Sequence, residues 1–79
     1  MANLDSKFHQ FLNGIGKEAG YDMTKPVNEI ELGRKLGLQP PQTLMITQYL
    51  KAKGYIKQMG LGGKTTITHQ GLKYLKGQT

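Results

Sequence analysis

The chain contains no cysteine. This excludes a disulfide framework and any thiolate metal site, and it is compatible with a reducing compartment. Histidine occurs only at His9 and His69, and no aspartate or glutamate follows Glu31. Two imidazoles near opposite ends of the chain, without thiols, are too few for a three- or four-ligand zinc site. Ser6 stands alone near the N-terminus, so no serine–histidine–acid order can be drawn. Glu29 and Glu31 lie two apart, which on a helix turns them to different sides. They suit the positive start of a helix better than acid–base catalysis. No run approaches the roughly 18 consecutive apolar residues of a membrane span, and the opening MANLDSKFHQ has no apolar signal core. The expectation is a non-enzymatic protein, without metal or cofactor, soluble and cytoplasmic, with no membrane partner.

A glycine-rich stretch, GLGGKTT at 60–66, invites comparison with a phosphate cradle. A P-loop requires G-x-x-x-x-G-K-[ST] between a strand and a helix. Counting back from Gly63, Lys64 and Thr65, the first glycine should stand where Gln58 does, and TTIT after Lys64 reads as a strand. A chain of 79 residues is also too short for several βαβ units of about 30 residues each. These glycines instead suit a tight hairpin tip, where positive φ is required.

What is present is one-sided charge. The net charge is +6, and all five acids (Asp5, Glu18, Asp22, Glu29, Glu31) fall within residues 1–31. From Leu32 onward there are eight lysines and arginines and no acid. A basic face on a single small domain spanning 1–79 points to a polyanionic partner.

Periodicity and turn signals divide the chain into seven segments. Leu4, Phe8, Phe11, Leu12, Ile15 and Ala19 recur at helical spacing. Gly14 and Gly16 interrupt that pattern at up to about 1 kcal/mol each, so a loose or early-ending helix is expected. Residues 25–27 read as short and extended. Residues 28–37 read as a helix, with Asn28 as N-cap, Glu31 three positions on and Gly37 as the stop. Residues 38–54 read as the next helix, with Pro40 in its first turn and Gly54 ending it. The two are joined by almost no loop, as in a helix-turn-helix. Residues 55–59 and 64–68 read as the strands of a hairpin, and 68–77 as a short helix capped by Thr68 with Leu72 and Leu75 facing inward. Tyr21, Tyr49, Tyr55 and Tyr74 read as amphipathic residues at the edge of the core.

Three of these stretches together resemble a known family. VNEIELGRKLGL resembles the second helix and turn of the winged-helix superfamily, LKAKGYIKQ the end of its third helix and entry to the wing, and ITHQGLKYL its closing segment. The similarity covers residues 25–76 and is nearest to small regulators of the MarR and PadR sort. It implies an α+β winged-helix fold: a three-helix helix-turn-helix core, a β-hairpin wing and a short C-terminal helix. It further implies a third helix in the DNA major groove and a wing on the adjacent backbone. The chain departs from the pattern at Gln39, where Ser or Thr usually caps the third helix, at Gly33, where Ala is common, and at Thr43 and Thr47, where aliphatic residues are usual. A rotated third helix or a thin core contact would follow.

On a helical projection of the third helix, Gln42, Ile46, Leu50 and Lys53 fall on the inward side, and Pro41, Leu44, Gln48 and Lys51 on the outward side. Gln42 and Gln48 suit adenine, and Leu44 and Met45 suit thymine methyl groups. Gln39 stands at the entrance to the helix. Lys57 and Lys64 suit phosphates along the wing, and Arg34, Lys35, Lys51 and Lys53 extend that footprint. The expected function is double-stranded DNA binding, sequence-specific or general, by a transcriptional regulator. A homodimer through Phe8 and Phe11 of the first helix is compatible with it. The alternative is a winged-helix protein-interaction module within a nucleic-acid or regulatory complex, anchored on its partner at Leu44.

Overall fold

The computed structural model describes residues 3–60 and 62–77, and side chains from residue 6 onward. The side chain of Leu4 and the whole of Leu61, both used in the sequence reading, lie outside this description. Seven elements follow in chain order: α1 (Asn3–Glu18), β1 (Val27–Asn28), α2 (Glu29–Lys35), α3 (Pro40–Ala52), β2 (Ile56–Gln58), β3 (Lys64–Ile67) and α4 (His69–Gly77). They form a small α+β domain of four helices and a three-stranded antiparallel sheet, ordered β1-β3-β2.

Helix α1 runs unbroken through both of its glycines, contrary to the expected early end. The reason is close packing. A Cβ at Gly14 would stand 3.1 Å from a methyl of Leu32, and one at Gly16 would stand 3.1 Å from a methyl of Leu75. The glycines let α2 and α4 approach the α1 backbone, which offsets their low helix propensity. Phe11, Leu12 and Ile15 of α1 are wholly buried beside Ile46, Leu50, Ile56 and Ile67.

The start of α2 follows the expected chemistry: Asn28 Oδ1 accepts the backbone N–H of Glu31 at 3.0 Å. Its exit is a Schellman motif. The N–H of Leu38 donates to the carbonyl of Gly33 at 2.8 Å and that of Gly37 to Arg34 at 3.0 Å. Gly37 holds φ at +79°, in the left-handed region that glycine enters without steric cost. The same pattern ends α3, where Tyr55 donates to Leu50 and Gly54 to Lys51. Two short helices thus meet at an abrupt corner.

The register of α3 differs from the sequence projection. Its buried stripe is Thr43, Ile46, Thr47 and Leu50, a proper i, i+3, i+4, i+7 row. Gln42 and Lys53 are exposed, not inward. Two causes are visible. Gln42 is turned back to the helix start, where its Oε1 accepts the N–H of Gln39 at 2.9 Å. The bare backbone of Gly33 opens a gap on α2, and the Thr43 side chain fills it; a Cβ at Gly33 would overlap Thr43 Oγ1. The hydroxyl of Thr47 donates to the carbonyl of Leu44 at 3.0 Å, so this threonine presents its methyl inward without leaving its donor unpaired.

Strand β3 is the centre of the sheet, pairing Thr65 with Val27 on one side and with Gln58 on the other. Thr65, Thr66 and Ile67 are all buried, which explains why no alternation is visible in the sequence. The chain after the glycine tip is therefore a strand, which no P-loop permits. Thr68 joins the sheet to α4: its hydroxyl donates to the carbonyl of Gly54 at 2.6 Å and accepts the N–H of Gly71 at 3.1 Å.

Candidate nucleic-acid interface

The α2–α3 corner presents the outward side of α3. Leu44 and Met45 are about half exposed, at 50% and 51%. Gln48 beside them is exposed. These three can meet a partner without rearrangement. Gln39 and Gln42 are also exposed but are bonded to each other at the helix start, so base contact by Gln42 requires that bond to open. Arg34 is exposed in the last turn of α2.

On the hairpin, Lys57 lies in β2 opposite Thr66, and Lys64 opens β3 opposite Asn28. Both are exposed. Gly60, Gly62 and Gly63 all have positive φ, and a Cβ on any of them would meet nothing within 4 Å. At these three glycines the backbone carries no side chain and can approach a surface closely.

Lys51 does not belong to this set. Its ammonium turns inward to Glu29 Oε2 at 3.2 Å, and the carboxylate is 3% exposed while the lysine side chain is 29% exposed. The approach lies outside hydrogen-bonding geometry, leaving Glu29 Oε2 without a hydrogen bond, so the attraction is Coulombic. The cation expected to face outward on α3 is committed to a carboxylate on α2. Lys35 is likewise engaged with Glu18 at 3.0 Å, although that pair is open to water and contributes little. Lys53 lies over the Tyr49 ring, 5.5 Å from its centroid.

Sequence reasoning missed this role of Glu29, which it assigned only to the helix start. It also missed the stacking of Phe8 on Tyr49, whose ring centroids are 4.1 Å apart. Phe11 is enclosed in the core. The two phenylalanines on which a homodimer through α1 would rest are therefore committed within the chain. Tyr55 and Tyr74 stack at 4.8 Å on the core edge as expected, whereas Tyr21 is 52% exposed.

Among the described residues, no three His, Cys, Asp or Glu side chains come together as a metal site, and no helix is long and apolar enough to cross a membrane. The acids that are present are largely engaged. Glu18 and Glu29 face lysines. Asp22 accepts the hydroxyl and the N–H of Thr24, and the hydroxyl bond leads in holding its carboxyl below the usual carboxylate range. The hairpin lysines have no acid in their own segment, whereas α2 carries Glu29 and Glu31 in its first turn and Arg34 and Lys35 in its last. Comparison with family models, curated proteins and solved structures finds no match for this chain.

Proposed function

We propose that the protein is a winged-helix double-stranded DNA-binding protein of regulatory role, with α3 in the major groove and the β2–β3 hairpin as the wing on the phosphate backbone. The observation that carries this reading is the combination of an exposed outward face on α3 with a glycine-tipped hairpin that bears exposed Lys57 and Lys64. The resemblance of residues 25–76 to winged-helix regulators supports it, as does the absence of any acid after Glu31. Leu44 and Met45 suit thymine methyl groups and Gln48 suits adenine. The wing lysines position the protein without reading sequence. With Lys51 withdrawn and no arginine on α3, the base-reading face carries little charge. Most electrostatic affinity then resides in the wing and Arg34.

The test is a fluorescence-anisotropy titration of duplex DNA across a salt series. Lys57→Ala with Lys64→Ala is expected to reduce the slope of log affinity against log salt by about 2, roughly 1 per lysine. Unchanged affinity and slope, or no binding of the parent protein at low salt, would remove this function.

A second reading rests on the same half-exposed Leu44 and Met45. An apolar pair at the centre of an exposed helix face also suits a protein partner. On that reading the domain is an interaction module within a nucleic-acid or regulatory complex. Leu44→Asp separates the two. Loss of a co-purifying partner with unchanged duplex affinity favours the protein module, whereas a fall in duplex affinity with unchanged salt slope favours groove contact.

A further inference from the structure

A cavity of about 580 Å³ lies between α1 and α4, and among the described residues none of α3 or of the hairpin lines it. That volume falls in the range of small-molecule sites. Its walls have two characters. Tyr21, Leu72 and Leu75 supply apolar surface, while Asn13 of α1 and His69, Lys73 and Lys76 of α4 carry nitrogen donors, and no carboxylate is among the described lining residues.

The apolar wall is built by an unusual turn. Gly20 and Tyr21, directly after α1, both have left-handed backbones, with φ of +64° and +60°. For a tyrosine this is an uncommon conformation. It is held by the N–H of Tyr21 donating to the carbonyl of Gly16 at 2.7 Å. The turn folds the tyrosine ring over Gly16, where a Cβ would stand 3.1 Å from the ring and equally close to Leu75. A side chain at position 16 would crowd both the ring and Leu75. The loop beyond is braced by the two Thr24 bonds to Asp22. A strained backbone thus fixes an aromatic ring that remains half open to water, at the edge of this cavity. Strain retained at such a place marks a candidate binding site.

We propose that this cavity binds a small amphipathic anion, its apolar body against Tyr21, Leu72 and Leu75 and its carboxylate toward Lys73. His69 and Lys76 line the same basic rim. The site is separate from the DNA-binding reading and does not depend on it.

Amide NMR titration of the DNA-free protein with sodium octanoate tests this, with 1-octanol and inorganic phosphate as controls. Octanoate is expected to give saturable shifts at Gly16, Tyr21 and Leu72 through Leu75, and phosphate alone none. Tyr21→Gly keeps the turn, since glycine accepts positive φ, and is expected to weaken octanoate about tenfold through loss of the ring. Lys73→Gln is expected to weaken octanoate about threefold, the scale of a surface ion pair, and to leave octanol unchanged. Shifts that do not saturate, or undiminished binding by Tyr21→Gly, would overturn the site. Equal affinity for octanol and octanoate would overturn its preference for an anion.

Discussion

Replacing Lys51 with methionine is expected to destabilise the fold by about 2–3 kcal/mol, although lysine on an outward helix face is usually dispensable. The carboxylate of Glu29 is almost wholly buried, and removing the lysine leaves it without a counter-charge. Breaking a fully buried pair costs about 3–5 kcal/mol. The lower figure applies because the Lys51 side chain retains partial contact with water. In a domain of this size the loss corresponds to a fall in melting temperature of roughly 10–20 °C. Replacing both members, Glu29→Met with Lys51→Met, should recover most of it, since an apolar pair of similar volume is often as stable as a buried ion pair. Urea unfolding of the parent, both single variants and the double variant measures the coupling. A Lys51→Met midpoint equal to the parent would show that the pair contributes nothing.

Gly33→Ala should also destabilise, against helix propensity. Alanine in place of a mid-helix glycine gains about 1 kcal/mol on propensity alone. Here the new methyl would overlap the Thr43 side chain, which is itself buried. Overpacking of this kind costs about 1–3 kcal/mol, and the severity of the overlap puts it in the upper half of that range, so a net loss of up to about 2 kcal/mol is expected. Adding Thr43→Ala should return part of that loss, making the two changes clearly non-additive. Urea midpoints again decide the matter. A Gly33→Ala protein more stable than the parent would mean that α2 and α3 do not approach as closely as described.

Both expectations concern contacts that sequence reading could not reach, and for the same reason. Local signals were legible: the Asn28 cap, the glycine exits at Gly37 and Gly54, the hairpin and the Thr68 cap all stand where residue chemistry put them. The rotation of α3 was not. Its inward row is half threonine, while Leu44 and Met45 are exposed, so counting apolar residues drew Gln42 and Lys53 to the wrong side. What selects the observed face is a missing side chain on another helix, at Gly33. The partner of Lys51 is equally remote in the chain, and periodicity carries no information about it. The candidate interface was accordingly legible on the wing, where exposure follows from a strand edge and a glycine tip. It was less so on α3, where it depends on how two helices nest.

The position of β3 between β1 and β2 bears on the order of assembly. Asn28 pairs with Lys64, and the N–H of Glu29 donates to Gly63 at 2.9 Å, so the strand that enters α2 takes its sheet hydrogen bonds from the chain leaving the hairpin tip. The α2–α3 corner lies inside the loop this closes. Its contacts are short in sequence and can form early, whereas the β1–β3 closure must await the hairpin and carries the larger loop entropy. The hairpin therefore acts as a latch. A chain interrupted before β3 would lack the sheet partner of the segment that leads into the corner.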